Sequence, residues 1–138
     1  MSQFIVYRVG KQKFAVSISS TSRIIALESV TAVPDSTDFM MGVMETEGDV
    51  LPIIDLSQRF YDIELKDTKN AQVVVILWNN EEIGLAVDEV INIVDFEENQ
   101  IDFETEKYTK IGSNRELSPI QSFIRTEEGI ILELNKLN

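Results

Sequence analysis

Gly48-Asp-Val-Leu-Pro-Ile-Ile-Asp-Leu-Ser-Gln-Arg-Phe60 is the stretch whose reading decides the fold. It opens at a Gly-Asp turn, runs through a strand-like segment, and closes at Asp55, placed to cap a short helical turn carrying Leu56 and Phe60. Val50, Leu51, Ile53 and Ile54 are too continuous for a strand with one wet face, so this strand is expected to be enclosed on both sides. Pro52 has no N–H to give a ladder and belongs at an edge or a bulge. A buried strand leading out of an acidic turn points to a scaffold that presents a surface, with no reaction cleft implied.

Upstream, Asp38 is placed to cap a turn through Phe39, Met40 and Met41, and Gly42-Val-Met44 leads into the hairpin tip Glu45-Thr-Glu-Gly-Asp49. Residues 30–33 read as β and end at the turn signal Pro34-Asp35. Ser19-Ser-Thr-Ser22 is a polar cluster that starts a helix or turn ahead of Arg23-Ile-Ile-Ala-Leu27. At the start, residues 4–9 and Phe14-Ala-Val-Ser-Ile18 flank Gly10-Lys11 as a β-hairpin. Downstream, residues 61–70 are polar and read as a connector.

Beyond that connector the pattern starts over. Val73-Val-Val-Ile-Leu-Trp78, Asn79-Asn80 and Ile83-Gly-Leu-Ala-Val87 repeat the opening strand–turn–strand, with Val73 standing where Phe4 stands. Val90-Ile-Asn-Ile-Val94 parallels Ile24 to Leu27. Phe123-Ile-Arg-Thr-Glu-Glu-Gly-Ile-Ile-Leu-Glu-Leu134 echoes residues 43–56: an acidic turn with glycine, a buried strand, then a carboxylate before leucine. An insertion over residues 97–119 lengthens the second copy, and its polar run 105–118 is expected to be a mobile surface loop. The fold expected is mostly β: two small, SH3-like barrels packed face to face, because closure removes sheet edges and neither half buries enough core alone. The halves are placed at about residues 1–66 and 71–138 of a single domain, with strand exchange between them left open. Helix is confined to single turns near Ser20, Asp38, Asp55 and Asn135.

Composition sets the outer bounds. Hydrophobic residues make up 43% of the 138 and charged residues 26%, which suits a globular domain. The net charge of −12 argues against nucleic acid and anionic membrane as partners. With no cysteine and no histidine, thiolate catalysis, Cys-zinc sites and phospho-histidine relay on this chain are excluded. No signal peptide or membrane span is visible, so a cytoplasmic protein is expected.

Taken together, Gln3 to Gly10 with Phe14 and Ile18, Val33-Pro34, Phe39-Met-Met-Gly-Val43, Gly48 to Leu56, residues 73–77, Ile83 to Asp88 with Val90, and residues 129–137 resemble the CheW family of chemotaxis coupling proteins. The resemblance implies two five-stranded SH3-like barrels with a hydrophobic core between them, no catalytic activity, and no cofactor or metal. It implies as partners a CheA-type histidine kinase, through its regulatory domain, and the cytoplasmic tips of chemoreceptors, with the receptor tip in the groove between the barrels. Kinase contact falls on Met41, Gly42, Glu47 and Gly48, and receptor contact on Thr21, Arg23, Gln72 and Val90. Two positions depart from the family pattern. Glu47 stands in place of the usual arginine of the tip, and Arg23 stands where an acidic residue is common; an Arg23–Glu47 ion pair of reversed polarity is therefore expected. The chain also starts and stops where the family's domain does, so a whole domain is expected.

Each of these residues has a plainer reading. Gly42 and Gly48 serve backbone geometry as readily as contact. Asp55 is read as a cap, Met40, Met41 and Met44 as core filling or an adaptable patch, and Trp78 as core or rim. Glu81-Glu82, Glu97-Glu98 and Glu127-Glu128 are read as solvated turn residues. A small carboxylate hydrolase built on Asp55 or Asp88-Glu89 lacks any supporting spacing, and residues 95–106 lack the glycine and alternation of a calcium loop. A diverged paralogue serving another kinase, or competing with the standard adaptor, is the alternative within the same fold.

Overall fold

The computed structural model describes residues 2–103 and 120–134. The loop expected over residues 105–118 and the turn expected at Asn135 lie outside the described residues.

The turn residues set the hairpins. β1 (Ser2–Val9) and β2 (Gln12–Ser17) reverse at Gly10, φ +62°. A 3-10 turn, Ile18–Ser20, begins where the Ser17 hydroxyl accepts the Ser19 N–H at 3.3 Å, and leads into β3 (Thr21–Ala26). β4 (Met40–Thr46) and β5 (Asp49–Asp55) turn through Glu47 and Gly48, both at positive φ, the pairing that matches strand twist. The single α-helix among the described residues, α1 (Leu56–Tyr61), follows directly. β6 (Gln72–Trp78) and β7 (Glu81–Val87) turn through Asn79 and Asn80, again both at positive φ. The chain continues as β8 (Glu89–Phe96), a 3-10 turn, β9 (Ile101–Asp102), β10 (Ile120–Thr126) and β11 (Gly129–Leu134).

These strands form a six-stranded sheet, β8-β1-β2-β11-β10-β9, and a five-stranded sheet, β3-β6-β7-β5-β4. Leaving out β9, the two orders match strand for strand, including parallel pairings of β2 with β11 and of β7 with β5. The matching orders parallel the sequence repeat, and each sheet takes strands from both sides of residues 66–71. The β1–β2 hairpin of the first copy lies beside the later strands of the second, and the β6–β7 hairpin of the second lies beside those of the first. Asp88 alone separates β7 from β8, too short a link to fold β8 back beside β7, so β8 enters the other sheet. Asp88 fixes this crossing: its N–H donates to the Arg8 carbonyl at 3.0 Å and its Oδ2 accepts the Gly10 N–H at 2.7 Å.

Alternation along each strand divides the apolar residues among three cores. Phe4, Val6, Ala15, Phe96, Ile124 and Ile131 fill the six-stranded sheet's own core. Met44, Leu51, Ile53, Val73, Val75 and Ala86 fill that of the five-stranded sheet, with Leu65 from the connector. Between the sheets lie Ile5, Tyr7, Phe14, Leu56, Val74, Leu85 and their neighbours. A strand buried on both faces reads as a continuous apolar run, as β1 and β6 do. β5 meets this expectation only past its start: Leu51 and Ile53 enter one core and Ile54 packs on another, but Val50 is 67% exposed. Pro52 sits just before the pairing with β7 begins at Ile53, where its missing N–H is tolerated. The β-like segment 30–33 contributes only a bridge from Thr31 to Val43, and Asp38-Phe39 forms a turn without helix. Asp55 caps α1, accepting the Gln58 N–H at 3.2 Å, and its other oxygen accepts the Leu65 N–H at 2.9 Å, tying down the connector.

Tyr7 is fully buried and its hydroxyl has no hydrogen-bond partner among the described residues; burial holds its pKa well above the usual phenol value. Tyr7→Phe removes a stranded polar atom while keeping the ring. It is expected to raise stability by about 1 kcal/mol, seen as a higher urea midpoint at unchanged slope. A lower midpoint would show that the hydroxyl is bonded in solution.

Candidate functional site

Because β5 runs parallel to β7, the turns at Glu47-Gly48 and Asn79-Asn80 project from one end of the five-stranded sheet. β3 reaches the same end, where Thr21 pairs with Ile76 and Arg23 with Val75. A bulge between Thr21 and Arg23 lets two successive residues reach one acceptor: Ser22 Oγ and Arg23 Nη1 both donate to Glu82 Oε2, at 2.6 and 2.5 Å. The Arg23 bond and then the Ser22 bond hold the Glu82 carboxyl below its ordinary pKa, and Glu82 raises that of Arg23. The pair is 25% and 31% exposed, so its net contribution to stability is about 0–1 kcal/mol. A hollow of about 410 Å³ opens beside it, lined by Arg23, Thr46, Asp49, Val50 and Glu82 among others.

The expected Arg23–Glu47 ion pair is not formed. Arg23 is held by Glu82, and Glu47 acts on it only through space from the exposed turn. Nor is Glu81-Glu82 wholly solvated. Successive strand residues face opposite ways, so Glu81 is exposed while Glu82 turns inward to Arg23. That alternation implies that one of the two turns inward, but the partner it meets there is set by strand pairing.

The four residues assigned to kinase contact separate by exposure. Glu47 and Gly48 stand free at the tip. Met41 packs on the core of the five-stranded sheet, while Gly42 is buried under the Thr31 carbonyl at φ +148°. Met44 belongs to that core as well, and Trp78 lies half-exposed at the end of β6. The four receptor residues form two pairs. Thr21, whose hydroxyl donates to the Ser17 carbonyl at 3.1 Å, lies near Arg23. Gln72 and Val90 meet at the other end of β6, where the Val90 N–H donates to Gln72 Oε1 at 2.7 Å. Gln72 pairs with Ala26 and Ile76 with Thr21, so the two pairs lie roughly 13 Å apart along β6 at ~3.3 Å per residue.

The Gln72–Val90 bond joins the two sheets, and on either side of it runs an outermost strand, β3 or β8. Both strands leave aliphatic side chains in solvent: Ile24 on β3, Ile91 and Ile93 on β8. Their exposure is not legible in the sequence, since it depends on which strands end a sheet. Among the described residues, no cluster of three or more acidic, histidine or cysteine side chains is placed to hold a metal ion, and no helix is long and apolar enough to cross a membrane.

Two interlocked β-sheets of matching strand order, with paired hairpin tips and exposed sheet edges, define a double SH3-like scaffold. Residues 3–137 match the model of the CheW-like domain, and the chain belongs to that family, one of non-catalytic scaffold and adaptor proteins of bacterial chemotaxis. It is 36% identical over 92 residues to the probable chemotaxis protein CheW of Rhizobium etli, covering 67% of this chain and 59% of that protein. It is 23% identical over 133 residues to the chemotaxis protein CheW of Thermotoga maritima, covering 96% and 83%. The matches to the Klebsiella aerogenes and Bacillus subtilis CheW proteins likewise span only 60% and 64% of those proteins. The crystal structure of the scaffolding protein TtCheW from Thermoanaerobacter tengcongensis superposes with a TM-score of 0.83 at 19% identity, covering 97% of this chain and 88% of that one; this likeness supports the fold.

Proposed function

We propose that the chain is a non-catalytic cytoplasmic adaptor that couples the cytoplasmic tips of chemoreceptors to the regulatory domain of a CheA-type histidine kinase. It reaches membrane-receptor arrays through those partners, without inserting into the bilayer. The observation that carries this reading is the separation of two solvent-facing regions on one scaffold. The acidic hairpin end, with Glu47, Gly48 and the exposed Val50, faces the kinase. The seam between β3 and β8, with Gln72, Val90, Ile24, Ile91 and Ile93, faces the receptor, whose contact continues along β3 to Thr21 and Arg23 beside the hairpin end. Two faces let one chain hold two partners at once.

The charge at the tip favours a diverged paralogue as the second reading. Glu47 replaces the family's usual arginine, and Arg23 is already neutralised by Glu82, so the end of the sheet is strongly acidic. Its partner is then one whose facing surface is basic. Titration of the protein with the regulatory domain of a CheA kinase from the same genome, and with a receptor hairpin fragment, tests both readings. Under the adaptor reading both bind, and Glu47→Arg weakens the kinase alone by about tenfold, as for a rim charge. Tighter kinase binding by Glu47→Arg would favour the paralogue, and failure of both partners to bind would remove the adaptor reading.

A further inference from the structure

Asp55 and Glu133 hold the same place in the two sequence copies, each just before a leucine at the end of a closing strand. Their surroundings differ in one respect. Asp55 is 5% exposed and both its oxygens accept backbone N–H groups, from Gln58 and Leu65. Glu133 is 4% exposed, but among the described residues only Oε1 is engaged, by the Ser122 hydroxyl at 2.6 Å. Ser122 faces it because the β10–β11 register slips between Ile120 and Ser122. Glu133 lies on the wall of a cavity of about 350 Å³ where the two sheets meet, with Phe4 on one side and Ile76 and Leu85 on the other. Burial raises the Glu133 pKa and the Ser122 bond opposes that rise, as expected for a carboxylate short of donors.

We propose that this cavity binds a primary ammonium group on a short apolar stem, the nitrogen held by Glu133 and the stem packed on Phe4, Ile76 and Leu85. An ionised carboxylate only accepts hydrogen bonds; Ser122 donates to one oxygen, and the other polar residues of the lining, Ser17, Ser19, Ser20 and Gln121, are neutral, so what the site lacks is a donor carrying positive charge. A guanidinium fits less well, since its planar fork is matched by two free oxygens and Glu133 offers one. The cavity is at the small end of ligand pockets, which limits the stem to a few carbons. Such a group arrives either as a free alkylamine or as a lysine side chain of a docked protein.

Calorimetric titration at neutral pH with n-pentylammonium chloride, with Nα-acetyl-lysine N-methylamide, and with pentan-1-ol tests the proposal. Saturable binding of an amine is expected, weakened about tenfold or more for pentan-1-ol and for Glu133→Gln, as befits loss of a charge-assisted bond. Tighter binding of the lysine amide identifies a protein side chain as the source; binding of the free amine alone identifies a small molecule; either supports the site. Absence of saturable binding by both amines, or equal affinity for the alcohol or for Glu133→Gln, overturns it. Methyl chemical shifts of the wild-type protein give a readout that needs no variant. Shifts confined to Ile76, Leu85 and Leu134 support the cavity, and shifts that miss them count against it.

Discussion

Gly42→Val is expected to leave the protein unfolded, or to lower its stability by more than about 3 kcal/mol. Gly42 is buried in β4 at φ +148°, a conformation that side-chain-bearing residues rarely adopt. A Cβ there would lie 2.2 Å from the Thr31 carbonyl oxygen and 2.8 Å from a Val30 methyl. The oxygen is backbone and cannot swing aside. It accepts the Val43 N–H at 2.9 Å, while the Thr31 N–H donates to the Val43 carbonyl at 2.8 Å. Moving Thr31 away therefore breaks both bonds and uncovers the outer edge of β4. Gly48→Ala separates strain from crowding: Gly48 has φ +84°, but nothing among the described residues lies within 4 Å of its Cβ position. It should cost only about 1 kcal/mol. Urea denaturation of the two variants checks the contrast, and equal losses would show that backbone conformation, not the Thr31 contact, makes Gly42 indispensable.

That contrast marks where sequence reasoning stops. Gly48 was legible, because an acidic dipeptide ending in glycine between two apolar runs announces a hairpin turn by itself. So were Asn79-Asn80, the cap at Asp55, and the repeat of strand–turn–strand at Val73. All of these depend on residues a few positions apart. At Gly42 the sequence leaves backbone geometry and surface contact equally open, because its demand for glycine comes from Thr31, which returns across β4 without forming a strand. Arg23 was given the wrong partner for a related reason. Glu47 carried the conspicuous departure from the family pattern, whereas Glu82 lies 59 residues from Arg23 and reaches it only through the pairing of β3, β6 and β7. The hairpin exchange was equally hidden, since β1 and β2 carry the same alternating pattern whichever sheet they join. Only the single residue between β7 and β8 hinted at a crossing.

The exchange makes the inter-sheet core the structural centre, and Phe14→Ala is expected to test this at a cost of about 3–5 kcal/mol. Phe14 is 1% exposed on β2, its ring stacked on Tyr7 at 5.9 Å and on Phe60 at 5.1 Å between centroids. Tyr7 belongs to the six-stranded sheet, whereas Phe60 lies on α1, which continues directly from β5 of the other sheet. Truncation removes a ring bridging the two, and neither sheet holds the whole of either sequence copy with which to stand alone. Hydrogen exchange then distinguishes a shared core from two neighbours. If the sheets unfold as a unit, Phe14→Ala should accelerate exchange of the slowest amides in β1 and in β6 by the same factor, near the fall in global stability. Ile124→Ala supplies the comparison, since Ile124 is fully buried within the six-stranded sheet's own core. It too should accelerate both sheets equally, because β1 and β2 carry side chains into that core and into the one between the sheets. Faster exchange confined to β1, β2, β10 and β11 in either variant would mean that the six-stranded sheet opens by itself, and that the shared core couples the sheets less tightly than the exchanged hairpins require.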